Sequence, residues 1–531
     1  MAISAPPSHC STASLPQQLL SHHLSTAIET GLHSQAIALL SASLTSGTST
    51  RRPALLPPPP YLAFLATIAV HPALTTRTTE IAKREAADEA ARYLRHAVKL
   101  IGPRGAGLDE AFRFVEGKRL ANKRVKSAVS TASPVEFASI KSPYADTESL
   151  WTNAENFWHV VGWAFNCSVI HPRRWRRWQV WLALMLDVLE ADLASHTNTG
   201  TVGDSMFAQY LLSMQGGRQN KRVLMRAILA DGGERSLVQF PEIWKGETRP
   251  PKREKHEEAE QQSKRRKLDL DNDDYGDYFS ADSDADPPAA ASTTTRRSRS
   301  TSKRPQHSAS PSPSTSVHRA GSLGGARSLG LRHRLLTLLL HLSTLAPTVF
   351  LSPQDLLDLF TETLPHLPLT IFMAYILPAT NTNLFLTPDA QASLAQALIR
   401  PFLAGRMSDA DILPLTRERF ERVYAPLTAS GANAVENARV QIGVEALIRL
   451  LWRDHREHYR GRGEGGGEGG VGEWRCTESL RQAVEAGIKA RGEKVGTDGR
   501  RRRGEETEEA VRVLEDSCQR MRAVLDLLPQ E

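Results

Sequence analysis

The feature that most constrains this chain is an abrupt loss of apolar residues between Gly246 and Ser328, where Ser, Thr, Pro, Asp, Lys and Arg dominate and no tryptophan occurs. Such a composition cannot bury enough apolar surface to offset an ordering cost of roughly 1–2 kcal/mol per residue. Residues 246–328 therefore read as a disordered linker, and folding must happen on either side of it. On both sides the apolar residues recur at spacings of three and four, the period of an amphipathic helix, and few windows alternate as strands require. The expected fold is all-α: two irregular helical arrays, solenoid-like or bundle-like, over 15–245 and 329–460. No repeat of fixed period names a particular array.

The N-terminal array is expected to follow a disordered stretch, 1–14. It opens with a helical hairpin from Leu15 to Leu44 that breaks at Gly31, and continues past a stiff spacer, Pro57 to Pro60. Helices are then predicted over Tyr61–Val70, over Thr79–Ile101 with a stop at Gly102 and Pro103, and from Leu108 to about Leu120. Six of the nine tryptophans fall between Trp151 and Trp181. They mark a helical hairpin over 147–193 whose core should include Trp151, Trp158, Trp175, Trp178 and Trp181. After the linker, prolines 347, 353, 365, 368, 378, 388 and 401 punctuate short helices, and a long one runs from Ala432 to Tyr459. A glycine-rich loop, 461–472, leads to terminal helices in 473–531. The last, 505–528, carries an apolar seam too short for a coiled coil and should dock on its own domain.

Four cysteines without a CxxC pair exclude both a disulfide scaffold and a structural zinc site, and point to a reducing compartment. The first twenty residues hold Pro6, Pro7 and Pro16 but no Lys or Arg, so neither a secretory signal nor a mitochondrial presequence is expected. The greasiest runs, Val180–Leu189 and Leu335–Leu342, are about half of the roughly 20 residues needed to span a bilayer, so no membrane partner is expected.

With 66 Lys and Arg against 59 Asp and Glu, the location of charge matters more than its sum. Lys252 and Arg253, ten residues, then Lys264, Arg265, Arg266 and Lys267 have the spacing of a bipartite nuclear localisation signal, read as an exposed peptide by a nuclear import receptor. Directly after it, Leu268, Leu270, Tyr275, Tyr278 and Phe279 are interleaved with aspartates. That pattern reads either as a linear docking motif or as an acidic spacer. Ser283 before acidic residues, and Ser310 and Ser312 before prolines, are phosphorylation contexts that would each add about −1.5 to −2 charges.

Arg173, Arg174, Arg176 and Arg177 surround Trp175 and Trp178 at a predicted helix start. On a helical wheel the tryptophans share the apolar face and Arg173 and Arg176 lie opposite, which favours packing over base stacking. Four arginines at a helix N-terminus, with Asp187, Glu190 and Asp192 towards its other end, oppose the macrodipole and so call for anionic partners, either carboxylates or phosphate. A second block, Arg500, Arg501, Arg502 and Arg503, adds exposed cationic charge of the kind that contacts phosphate.

Gly461, Gly463 and Gly466 match GxGxxG, but no strand precedes them and Glu464 and Glu468 would repel phosphate. His455, His458 and Cys476 lack a fourth metal ligand. Arg453 and His458, separated by four residues, resemble the motif of HEPN-type helical ribonucleases, a resemblance confined to these six positions. It implies Arg and His acting around an RNA phosphate; the residues by themselves read as a salt-bridged helix end. The expected function is a non-enzymatic nuclear scaffold or adaptor that binds nuclear proteins, with nucleic-acid binding through the arginine clusters as the alternative. No cofactor and no metal are expected.

Overall fold

The computed structural model describes residues 11–50, 53–114, 140–214, 218–251, 323–377, 388–402, 415–461, 476–498 and 505–528. Two helical regions flank the interval 252–322, which holds most of the expected linker and lies outside the described residues. The N-terminal region contains α1 (Ser25–Glu29), α2 (His33–Thr50), α3 (Pro59–Ile68), α4 (Ile81–Ile101), α5 (Leu108–Ala111) and α6 (Leu150–Asn153). It continues with α7 (Phe157–Ile170), α8 (Pro172–Thr199), α9 (Met206–Leu212), α10 (Arg218–Ile228) and α11 (Glu234–Gln239). The C-terminal region contains α12 (Ala326–Leu345), α13 (Pro353–Thr363), α14 (Leu369–Ile376), α15 (Pro388–Ile399), α16 (Arg417–Arg419), α17 (Ala434–Gly461), α18 (Glu478–Asp498) and α19 (Glu505–Leu527).

Several local expectations need correction. Thr12–Ser14, assigned to a disordered N-terminus, forms a short strand, β1, parallel to β2 (Ala54–Leu56). Three-residue strands that pair over a long sequence distance leave no alternation to read. Pro59 and Pro60 are not part of a spacer but the first turn of α3, where a missing amide hydrogen costs nothing and the fixed φ suits a helix. The helix predicted from Leu108 stops at Ala111, so Leu120 lies beyond it and outside the described residues. The tryptophan hairpin extends past residue 193 to Thr199, where Gly200, at φ 73°, ends it.

The expected linker is also too wide at both ends. Glu247, Leu323 and Ser328 are each 0% exposed, so the folded body reaches past residue 246 and resumes before 328. Nor do the two regions have separate cores. One apolar cluster runs from Leu15 to Leu528 and takes in helices of both. The junction is made by α12, which lies along α8, and by α10, which touches α13.

The Trp-rich pair α7–α8 sits at the centre of the N-terminal region. Asn156 caps α7 by accepting a hydrogen bond from the His159 amide at 2.9 Å. Pro172 opens α8 after a single intervening residue. All five tryptophans assigned to the core are buried, Trp158 and Trp178 completely. Gly162 permits the close fit of the chain returning from α11, because a Cβ there would stand 2.3 Å from the Phe240 ring. Two of the buried indoles find hydrogen-bond partners on the backbone: Trp158 donates to the Tyr210 carbonyl at 3.2 Å and Trp151 to that of Ala63 at 3.0 Å.

In the C-terminal region, α17 is the axis against which α14, α15, α18 and α19 pack. The seam of α19 faces it, with Leu514, Met521, Leu525 and Leu528 buried. Glu445 of α17, 0% exposed on its side chain, accepts from Ser517 at 2.6 Å and from Arg520 through both oxygens at 2.7 and 2.9 Å. The terminal helix thus docks on its own domain.

Truncating Trp158 or Trp178 to Ala should lower stability by about 3–5 kcal/mol, as for other fully buried large side chains. Chemical denaturation of the two variants, read at 222 nm, checks this, and an unchanged midpoint would contradict the packing.

Candidate functional site

A helix start so rich in arginine needs anions, and the structure supplies them from protein. Arg174 is buried at 2% exposure, and its Nε donates to Glu247. Its Nη1 donates to Thr75 Oγ1 at 3.1 Å, and its guanidinium lies 5.1 Å from the Trp178 ring centroid and 5.7 Å from that of Trp244. Glu247 in turn accepts from Trp178 Nε1 at 2.8 Å. The ion pair is therefore enclosed by two indoles and hydrogen-bonded on both members, the condition under which a buried pair persists. Arg177 pairs with Asp88 of α4.

This settles the arginine cluster residue by residue. Of the two anions expected for the cluster, carboxylate or phosphate, Arg174 has a carboxylate, supplied by the stretch read as linker, and its burial removes it from any nucleic-acid surface. Arg177 already has its carboxylate. Arg173 and Arg176 lie on the far side of α8 from Trp175 and Trp178, both exposed, and neither has a hydrogen-bond or ion-pair partner among the described residues. At the other end of α8, Asp187 and Glu190 are taken up by Arg334 of α12, and Asp192 accepts from the Met206 amide at 2.7 Å.

A histidine flanks the same network. His71 caps a short turn, with Nδ1 accepting from the Ala73 amide at 3.3 Å, and its ring stands edge-on to Tyr144 and Trp244 at 4.8 and 4.9 Å between centroids. Burial, with the positive charge of Arg174 and Arg77, pushes its pKa down to about 3. It is neutral at physiological pH.

Other expected sites fall where geometry cannot join them. Lys252, Arg253, Lys264, Arg265, Arg266, Lys267, Leu268, Leu270, Tyr275, Tyr278, Phe279, Ser283, Ser310, Ser312 and Arg500 to Arg503 all lie outside the described residues. Arg453 is on α17, as is His458, but the side chain of His458 is not among those described. Among the described residues no group of three or more His, Cys, Asp or Glu could hold a metal ion, and no helix is long and apolar enough to cross a membrane. Cys167 and Cys476 are buried, and burial raises the Cys167 thiol well above its ordinary value. A cavity of 740 Å³ bordered by Pro59, Trp151, Glu110, Arg113, Lys141 and Asp146 carries both signs of charge and selects neither.

Sequence reasoning missed Glu247. It sits in a run, Gly246 to Pro251, whose composition is that of a linker, and a carboxylate carries no mark of burial. The signal that could have found it was the demand of α8 for anions. Compared with family models, curated proteins and solved structures, the chain matches none.

The two partners of the buried pair should not be separable. Arg174→Met or Glu247→Gln alone should destabilise the protein by about 3–5 kcal/mol, since each leaves the other charge buried without compensation; thermal melts read this directly. The low pKa of His71 fixes a second outcome. The unfolded chain takes up that proton below about pH 6.5 and the folded one only near pH 3, so this contribution to stability is complete above 6.5 and falls as pH drops through that window. Denaturation midpoints between pH 4 and 7 should depend less steeply on pH in His71→Gln than in the parent.

Proposed function

We propose that this chain is a non-enzymatic nuclear scaffold or adaptor, a protein-binding subunit of a complex associated with chromatin or nucleic acid. The observation that carries the reading is the continuity of one core through both helical regions, while the bipartite basic signal lies in the interval between them. An all-helical body with a single core keeps a fixed outer surface, which suits the assembly of other proteins. A long polar interval lets an import receptor read the basic clusters as an extended peptide without unfolding the body.

A second reading, direct contact with nucleic acid, draws on Arg173 and Arg176. Both are unpaired among the described residues, and both project near the positive end of the α8 dipole. Arg500 to Arg503 would add to the same electrostatic attraction.

Replacing Lys264, Arg265, Arg266 and Lys267 with alanine should leave a fluorescently tagged protein in the cytoplasm; unchanged nuclear signal would remove the import reading. A tagged pull-down from nuclear extract, split and treated with nuclease in one half, separates the two functions. Stoichiometric proteins that survive nuclease support the scaffold. If instead they vanish, the second reading gains, and Arg173→Ala with Arg176→Ala should lower the salt dependence of duplex binding by about 0.9 in log–log slope for each phosphate no longer neutralised.

A further inference from the structure

The interval 252–322 leaves and re-enters the folded body on the same pair of helices, α7 and α8. At its start, Glu247 is held by Arg174 and Trp178 of α8, and Glu242 accepts from the Gly246 amide at 2.9 Å. At its end, Leu323 is fully buried with φ 46°, and its carbonyl accepts from Ser168 Oγ of α7 at 3.4 Å. Gly324 follows at φ 83°, where a Cβ would stand 2.3 Å from Ser168 Oγ. This entry is built to one shape. It delivers α12 onto α8.

The contacts of α12 with the N-terminal region are of three kinds. Apolar residues along it, among them Leu331, Leu335 and Leu339, join the common core. Arg332, 0% exposed, meets no carboxylate among the described residues; it spreads over backbone acceptors at the end of α10, Ile228 and Ala230, with 2.8 Å to the second. Its Nε donates to Ser328 at 3.2 Å, and its guanidinium lies 4.1 Å from the Phe165 ring centroid. Arg334 grips Glu190 through two parallel bonds of 2.8 Å and reaches Asp187 at 2.7 Å. A guanidinium that caps the carbonyl end of one helix from another, buried and irreplaceable by water, is a specific docking contact. In its packing, α12 is the covering helix of the N-terminal region as much as the first helix of the C-terminal one.

We propose that the surface formed by α7, α8 and the end of α10 is a docking site for the segment 323–345, and that this contact holds the two regions together without the covalent connection through 252–322. The partner the surface fits is the second piece of this chain: a leucine-rich helix with an arginine pair two residues apart, entered through a glycine turn. Once folded, a chain cut in the interval remains one particle. The inference does not rest on the nuclear reading, since failure of import would leave the docking of α12 unchanged.

The test uses the full chain. A specific-protease recognition sequence is inserted after Ala290, the intact protein is purified, cut to completion and passed over a size-exclusion column at micromolar and lower concentrations. The expected result is one peak at the volume of the uncut protein that contains both pieces in equal amounts, with a melting temperature that now rises with concentration. Two separate peaks at micromolar concentration would overturn the proposal. In the same cleavable chain, Arg334→Glu should fold while connected yet separate after cutting at a concentration about tenfold or more above the parent, and adding Glu190→Arg should restore association. Charge reversal without effect on the cut protein, with the fold retained, would equally overturn the assigned contact.

Discussion

The ion pair of Arg174 with Glu247 is the point on which the N-terminal region turns. An arginine in the first turn of a helix faces the positive end of the dipole, and burying it there adds a desolvation penalty of several kcal/mol. Glu247 answers both costs with one charge. Because it arrives from a segment some seventy positions later in sequence, the pair also fixes where the chain must pass after α11. Trp178 and Trp244 close over it, their rings stacked at 6.0 Å, and Trp178 gives its indole hydrogen to the same carboxylate oxygen that takes the arginine. Trp178 is thus more than apolar mass: its polar edge completes the network that its face and that of Trp244 shield from water.

How much of this was legible follows from what kind of signal each part leaves. Helices with a repeated three-four spacing, such as α4, α8, α12 and α19, declare themselves because many residues agree. The opposite faces of Trp175 and Trp178 and of Arg173 and Arg176 followed from the same geometry. What escaped was single residues with long-range partners. Glu247 and Ser328 sit in polar runs whose average composition denies burial, yet each is buried because distant side chains wait for it, Arg174 and Trp178 for the first and Ser168 for the second. The strand pair β1–β2 and the short α5 are tertiary outcomes of the same kind. The boundary of the linker failed for this reason at both ends, and by only a few residues, while its middle lies outside the described residues.

Among the described residues, Arg174, Arg332 and Arg491 are nearly or wholly buried, and they solve the same problem in different ways. Arg174 has a carboxylate. Arg332 and Arg491 bond to carbonyls and neutral side chains instead; burial lowers both to about pKa 10, so each remains charged at neutral pH. Arg491 of α18 reaches the carbonyls of Ala425 and Leu427 and the side chain of Gln441. Carbonyls left over where helices end carry partial negative charge, and a planar guanidinium with five donors can satisfy several at once. Where helices meet at irregular angles and their ends are buried, such an arginine replaces the water that would otherwise be needed.

That solution has a consequence for a helical body without a repeat. In a regular solenoid each unit caps the next by the same contacts, so neighbours are interchangeable. Here three junctions each have their own cation: Arg174 between α8 and the chain after α11, Arg332 between α10 and α12, Arg491 between α18 and the turn after Tyr424. A guanidinium donates only to oxygens placed to its fork, and a misplaced helix would leave a buried charge with nothing to bond, at a cost larger than any apolar contact could recover. The arginines therefore select one arrangement among many that bury similar apolar area. A body specified in this way presents the same surface each time it folds.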